Sequence, residues 1–412
     1  MSIDWRRARS ETYGCQEVVH FNNAGAALMP NCVVEAAINH IKDEARWGSY
    51  EAAERALERI ERVYDAAAAL FACDPREIAI VENASRAWGL VFYSLDFRPG
   101  DVVLTSKSEY ANNYIAMLHV KKTADVHIAV LPDSEDGGIS LPTLQWALDA
   151  FGKRIKVISL VHVPTNNGLV NAVAEIGRVV REAKVAGSLA SNALYMLDAC
   201  QSVGQIDINV AEIGCDVLTT CSRKYLRGPR GLGILFVRRG LLDPMRNEEP
   251  VLLDVRAAEW TARESYRVYG DGRRFETWET NNSSKIALGV AIEHARSWGI
   301  ARIEAHVSAF AARLRQNLSQ VKGVKVHDRG AKQCGIVSFT VGGSDPTKVK
   351  DFLSRCNINV SVSERALTRL DMEDRNLDAV VRASVHYYNS EDELDLFARK
   401  VDEFRLWQIR ND

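Results

Sequence analysis

Long apolar runs are absent from this chain. None approaches the roughly 18 residues of a membrane span, so no membrane partner is expected. A surplus of one charge is also absent. The 52 Lys and Arg residues against 54 Asp and Glu leave a formal net charge of −2, which gives no electrostatic case for nucleic acid or an acidic lipid surface. Clustered cysteine is the third absence. Cys15, Cys32, Cys73, Cys200, Cys215, Cys221, Cys334 and Cys356 are scattered, with no CxxC and no His/Cys group. That argues against a disulfide framework or a zinc site, so no metal is expected. Arg6-Arg7 is followed by polar residues and not by a signal-peptide core, so an export reading is poor. Beyond short turns there is no low-complexity segment, linker or internal repeat. These absences predict a soluble, cytoplasmic protein that works on a small molecule.

What is present is an α/β pattern. With 412 residues, 47 % of them hydrophobic, the chain can bury one large core and a smaller one. Residues 1–30 read as irregular. Helical patterns follow at 31–47 and 51–72, the second with Ala56, Ile60, Val63, Tyr64 and Ala67 on one face, and Gly48-Ser49-Tyr50 breaking the run between them. Apolar strands then alternate with helices across 75–240, which predicts a mainly parallel sheet covered on both faces. A long helix is expected near 285–297. Beyond it, strands near 335–341 and 358–362 and helices near 346–355 and 391–405 suggest a smaller α/β unit. The expected division is a large domain, 30–285, and a small one made of 1–29 and 286–412.

The chain is organised around Leu194 to Val237. One apolar run ends in Asp198, and a second, Val217 to Thr220, ends just before Lys224; Gly228, Pro229, Gly231 and Gly233 lead into a third, Gly233 to Val237. Runs of this length bounded by Gly and Pro read as buried strands. Polar residues at strand C-termini of an open α/β sheet are where ligands bind. An acid and a lysine delivered to one sheet edge match the needs of pyridoxal phosphate, which takes a lysine at its aldehyde and a carboxylate at its ring nitrogen. Taken singly, a lysine is most often a solvated charge and an Asp after a strand a helix cap.

The joint pattern is more specific. D-x-x-Q from Asp198 to Gln201, D-x-x-x-x-x-x-R-K from Asp216 to Lys224, and G-P-x-G-x-G from Gly228 to Gly233 resemble the cofactor region of the class V aminotransferase family, fold-type I pyridoxal 5'-phosphate enzymes. The resemblance implies a seven-stranded, mainly parallel sheet in the large domain, a small C-terminal α/β domain, and a homodimer with shared active sites. Lys224 would carry the cofactor and shuttle the α-proton. Asp198 would hold the ring nitrogen and Gln201 the phenolic oxygen. Arg223 stands where the family has His and suits phosphate, while Cys221 replaces a phosphate-binding Ser or Thr.

Other positions follow from the same resemblance. Ala84 and Ser85 open a helix whose free N–H groups form an anion site. Tyr110 takes the place of the ring that stacks on the pyridine, with Glu109 as the alternative. Thr165 takes the place of an Asn on the phenolic oxygen, with Asn166 or Asn167 as alternatives. Thr280, or else Asn281, would reach the phosphate across the dimer. Asn23, Ala24 and Gly25 lie in the N-terminal substrate segment, and Arg382, in VVRASVHYYNS, would fork the substrate α-carboxylate.

One absence narrows the chemistry. Desulfurases carry a mobile-loop cysteine shortly before this arginine, and the residues from Val360 to Arg382 contain none. S-R-K-Y-L-R-G-P-R-G (222–231) together with V-S-V-S (360–363) before D-A-V-V-R-A-S (378–384) resembles the branch that cleaves hercynylcysteine sulfoxide in ergothioneine synthesis. The expected activity is therefore C–S lyase β-elimination on an S-substituted cysteine or its sulfoxide, releasing pyruvate and ammonia. Epimerase, aminotransferase, cysteine desulfurase and selenocysteine lyase are the alternatives within the family, and a non-catalytic binding relative is the alternative outside it.

Overall fold

The computed structural model describes residues 3–242 and 249–411. Seven strands form the large sheet: β1 (Ile78–Val81), β2 (Val102–Ser106), β3 (His127–Leu131), β4 (Ile155–Val161), β5 (Leu194–Asp198), β6 (Val217–Cys221) and β7 (Gly233–Val237). Their spatial order is β1-β7-β6-β5-β4-β2-β3. Only β7 runs against its neighbours; the other pairings are parallel. Every residue of β1, β2, β5, β6 and β7 is buried. Continuous apolar sequence is what a sheet covered by helices on both faces requires.

Register brings the chemistry to one edge. Gly233 pairs with both Val81 and Cys221, and Asp198 pairs with Val161 and Thr219. The C-terminal ends of β1, β6, β5 and β4 therefore lie side by side, and the segments after them share one rim.

Helices α1 (Asn31–Trp47), α2 (Leu57–Phe71), α3 (Ala84–Phe92), α4 (Ala111–Ala124) and α5 (Asn282–Trp298) do most of the covering used below. Ile60, Val63, Tyr64, Ala67 and Phe71 are the buried stripe of α2, which packs with α1 against α5. The expected domain boundary at 285 falls inside α5. A second sheet, antiparallel throughout, contains β8 (Val324–Val326), β9 (Ile336–Val341), β10 (Ser361–Glu364) and β11 (Ala379–Ser384) in the order β8-β9-β11-β10. Val19–His20 pairs in parallel with Ile358–Asn359, so the N-terminal segment is sewn to this half of the chain.

Several expectations need correction. Residues 1–30 were expected to be irregular throughout, but residues 5–20 carry regular elements. Trp5–Ser10 is helical, capped by the Asp4 carboxylate, which accepts from Arg7 N at 3.1 Å, and Val19–His20 finds its partner more than 300 residues away, out of reach of local pattern. The expected helix at 51–72 is two helices, Ser49–Arg55 and α2, separated at Ala56. Ser49 and Tyr50 are helical; the break is Gly48 alone, whose φ of +92° costs a glycine little. Strand β3, helix α4 and the helices Leu141–Phe151 and Ile300–Ser319 were not read from the sequence. In α4 the apolar residues Ile115, Leu118 and Tyr114 spread around the helix, with Ile115 and Leu118 exposed, so no apolar stripe announces it.

Candidate active site

The rim of the large sheet encloses a cavity of about 320 Å³. Ala84, Ser85, Tyr110, Thr165, Asp198, Gln201, Cys221, Arg223 and Lys224 all line it, joined by Glu82, Asn83, Cys200 and Arg230. Each wall has a local cause. The first turn of α3 forms one side, with the Asn83 side chain accepting from Arg86 N at 2.8 Å. Gly233 allows this helix to start so close to β7, since a Cβ there would lie 2.5 Å from the Asn83 carbonyl carbon and 2.7 Å from Ala84 N. Lys224 stands on the tight turn after β6. Among the described residues it forms no ion pair.

Both signs of charge line the cavity. Arg223, Lys224 and Arg230 supply the cations, and Asp198, at the end of β5, supplies an anion. Arg223 Nη1 donates to Cys221 Sγ at 3.4 Å. Hydrogen bonding from Cys200 pulls the Cys221 thiol below its ordinary range; burial opposes this, and the charges of Lys224 and Arg223 reinforce it. Asp198 accepts from Cys200 N at 2.9 Å and from Asn113 Nδ2 at 3.1 Å, both neutral donors.

The Thr165 hydroxyl accepts from Gln201 Nε2 at 3.2 Å and from Arg382 Nη1 at 2.7 Å. Both acceptances leave its own proton to point at a ligand. Gln201 differs from expectation. Its amide N–H groups are used on Thr165 and on Ala24 O at 3.1 Å, so the group it leaves buried without a partner is an acceptor, Oε1. As placed, Thr165 and not Gln201 is the donor for a phenolic oxygen. Asn166 and Asn167 turn away: Asn166 Nδ2 bonds Asp371 at 2.5 Å and Asn167 Oδ1 accepts from Leu169 N at 2.8 Å.

The remaining candidates lie behind or beside the cavity. Arg382, buried on β11, reaches Thr165 O at 2.8 Å, and its Nε has no partner. Burial pushes its guanidinium down to about 10. Ala24 bridges Gln201 and β11, its N–H donating to Ser384 Oγ at 2.9 Å. The Asn23 side chain is consumed by the fold, donating to Ser384 O at 2.6 Å and accepting from the Tyr388 hydroxyl. Gly25 sits in a turn against the Asn22 side chain, and Ala27 N donates to Arg223 O at 2.9 Å, which ties this segment to the lysine loop. Thr280 and Asn281 do not reach the cavity. They line a separate recess that shares Glu82, Gly231 and Leu232 with it. Glu109, the alternative to Tyr110, faces the interior and not the cavity.

Two groups were missed at the sequence level. Arg227 has a left-handed backbone, φ +59°, and a buried guanidinium that donates to Leu28 O, the Tyr387 hydroxyl and Thr12 Oγ1 at 2.6–2.7 Å. It locks the lysine loop to both ends of the chain, and only tertiary structure reveals it. Asn113, bonded to Asp198, was legible in one respect: it lies four residues after Glu109, a spacing that brings side chains together at a helix start.

A ligand that fits must be anionic where α3 begins, cationic over Asp198, and able to engage Thr165 and Gln201 Oε1. Pyridoxal 5'-phosphate has this polarity, with its phosphate at one end and its protonated ring nitrogen at the other. Ala84, Ser85, Cys221 and Arg223 line the cavity where they would meet the first, Asp198 where it would meet the second, and Tyr110 and Lys224 line the same space and would take the ring face and the aldehyde.

Comparison with known proteins agrees. The chain is 26 % identical to a probable cysteine desulfurase of Methanothermobacter thermautotrophicus over 93 % of its own length and 94 % of that protein. An apo cysteine desulfurase from Thermococcus onnurineus superposes with a TM-score of 0.88 at 24 % identity, covering 99 % of each chain. C-DES, a cystine C–S lyase, is similar in a variant that holds glycine covalently linked to its PLP cofactor, with a TM-score of 0.84, 22 % identity, and 96 % and 99 % coverage. The family described as Aminotransferase class-V matches residues 19–397. The chain therefore belongs to the class-V aminotransferase family of pyridoxal-phosphate enzymes.

Proposed function

We propose that this enzyme cleaves the Cβ–S bond of an S-substituted cysteine or cysteine sulfoxide by β-elimination, with hercynylcysteine sulfoxide as the reference substrate. The observation that carries the proposal is the composition of the segment entering β11. From Val360 to Arg382 the chain runs as β10, a turn, the helix Arg369–Asp374 and β11, and it contains no cysteine. Cys356 ends the helix Pro346–Arg355 and lines a different recess with Lys348, Phe352 and Trp407. Cys200 and Cys221 do line the cavity, but Cys200 N bonds Asp198 and Cys221 bonds Arg223, both groups assigned to the cofactor. The segment entering β11 offers no thiol to receive sulfur from the substrate.

When bound, the cofactor supplies an electron sink for the substrate α-carbon. Lys224 Nζ takes the α-proton. Arg382 holds the α-carboxylate in a fork, assisted by the Ala24 segment, and Asp198 keeps the ring nitrogen protonated. The sulfur group leaves Cβ, and hydrolysis yields pyruvate and ammonia. Thr280, outside its own cavity, supports a homodimer in which it reaches the phosphate of the partner subunit.

The test is product analysis with cofactor-loaded protein on cysteine, S-alkyl cysteine sulfoxides and hercynylcysteine sulfoxide. Stoichiometric pyruvate and ammonia from a sulfoxide is the expected result. A second reading, cysteine desulfurase, is favoured by the names of the relatives; alanine from cysteine without pyruvate would establish it and overturn the elimination reading.

A further inference from the structure

Beneath the cavity lies a bracket of side chains that none of the assigned roles uses. The Asn113 amide gives one proton to Asp198 Oδ2 at 3.1 Å and the other to Glu109 Oε1 at 2.9 Å. Glu109 is itself tied to the sheet. Its Oε2 accepts from Thr105 Oγ1 on β2 at 3.0 Å and from Ser159 Oγ on β4 at 3.3 Å. Its Oε1 also accepts from Tyr110 N at 2.9 Å. Glu109, Asn113, Thr105 and Ser159 are all buried, and all four donors to Glu109 are neutral.

A carboxylate that is to meet a ring nitrogen needs its two torsions fixed. Cys200 N fixes one oxygen of Asp198, and Asn113 fixes the other. Asn113 alone would be a helix side chain free to turn; Glu109 holds its amide so that the second N–H faces Asp198. The same glutamate anchors the backbone of Tyr110, which lines the cavity. One buried group thus aligns both the partner of the ring nitrogen and the side chain placed against the ring face.

We propose that Glu109, acting through Asn113, is a positioning residue that holds the Asp198 carboxylate against the ring nitrogen of the cofactor. The proposal rests on Asp198 being the partner of that nitrogen. It assigns Glu109 its work by geometry and not by charge alone. Burial, with the charge of Asp198 adding to it, raises the Glu109 carboxyl to about 7 against the opposing bond from Asn113. Glutamine can replace it: its oxygen would accept from Asn113 and Tyr110, and its amide would donate to the Thr105 and Ser159 hydroxyls.

The experiment reconstitutes the apoprotein with pyridoxal 5'-phosphate labelled with ¹⁵N in the ring, and reads the ¹⁵N shift and the cofactor Kd. Asp198→Asn, Asn113→Ala, Glu109→Ala and Glu109→Gln are compared with the parent. Asn113→Ala and Glu109→Ala should each weaken the cofactor by about tenfold or more, the worth of one hydrogen bond to a charged group, and move the shift toward that of an unprotonated ring. Glu109→Gln should keep both near the parent values. If Asn113→Ala keeps the parent shift and Kd while Asp198→Asn loses them, the bracket has no positioning role and the assignment of Asp198 stands. If Asp198→Asn also keeps them, the assignment of Asp198 fails and the proposal fails with it. Where Glu109→Ala does not fold, Asn113→Ala, which leaves Glu109 its bonds to Thr105, Ser159 and Tyr110 N, decides alone.

Discussion

Two buried glutamates mark the difference between charge that holds this fold and charge held for a ligand. Glu276 meets the edge strand β1. It accepts from the Tyr64 hydroxyl at 2.8 Å and Ile80 N at 2.8 Å, and it pairs with Lys285 Nζ at 3.2 Å, with Arg256 at 3.7 Å. This knot joins β1, α2 and α5 with its charges cancelled locally. Around Asp198 the pattern reverses. Among the described residues Glu109 and Asp198 receive only neutral donors, while Lys224, Arg223 and Arg230 line the cavity together with Asp198. A fold that can pair Glu276 so fully leaves Asp198 and these cations without an ion pair, where a ligand bearing both signs completes them.

The two lysines give the sharpest contrast. Lys224→Ala should lower turnover by about 10²- to 10⁴-fold, while its stability stays within about 0.5 kcal/mol of the parent, because no protein ion-pair partner is left behind. Lys285→Met should do the opposite, costing roughly 3–5 kcal/mol of stability by stranding Glu276, with turnover per folded, cofactor-loaded subunit retained. Retained activity in Lys224→Ala would remove it from the chemistry. An unchanged midpoint in Lys285→Met would mean that the Glu276 knot is not structural.

That contrast also explains what could be read from the sequence. Asp198, Lys224 and the start of α3 were legible because strand ends and Gly-Pro turns place them locally, and adjacent register then gathers them. Thr165 and Arg382 could be named only by resemblance, since their meeting joins residues 217 positions apart. Gln201 lines the cavity, but the direction of its hydrogen bonds depends on Ala24 and Thr165, which no local pattern supplies. Arg227 stayed hidden for the same reason, and so did the bond from Asn113 to Asp198, 85 residues away. The paired Glu276 was equally invisible: Arg274-Phe275-Glu276 reads like any charged turn until Tyr64 and Lys285 are seen beside it.

Next in size is a pH effect that separates the two glutamates. The Glu109 carboxyl is raised to about 7 in the folded protein, above its unfolded value. Below that unfolded value it is protonated in both states and contributes nothing. As pH rises toward 7 the unfolded chain releases a proton that the fold retains, so stability falls through that window and the full penalty stands above it. The apoprotein of Glu109→Gln should therefore be more stable than the parent at pH 8, by roughly 3 kcal/mol at most, and equal to it at pH 4. Urea midpoints at both pH values read this directly. Glu276→Gln should lower stability at pH 8, since it strands Lys285. A loss of stability in both variants would erase the distinction between the two sites.

The smallest effect belongs to Cys221, where the cavity departs from a hydroxyl-lined phosphate site. A thiol is a weak hydrogen-bond donor, and this one is pulled toward its thiolate by Cys200, Lys224 and Arg223. A thiolate would repel a phosphate dianion, so whatever fraction of Cys221 is ionised has to regain a proton when the cofactor binds, at a cost that grows as pH rises. Cys221→Ser substitutes a donor that stays neutral. It should tighten the cofactor by a few-fold, about the worth of one neutral hydrogen bond, and the advantage over the parent should widen from pH 6 to pH 8. Equal affinities at both pH values would show that the phosphate does not touch residue 221. A constant advantage would show that it touches a neutral thiol, and that the positive charges of the cavity are held for the ligand alone.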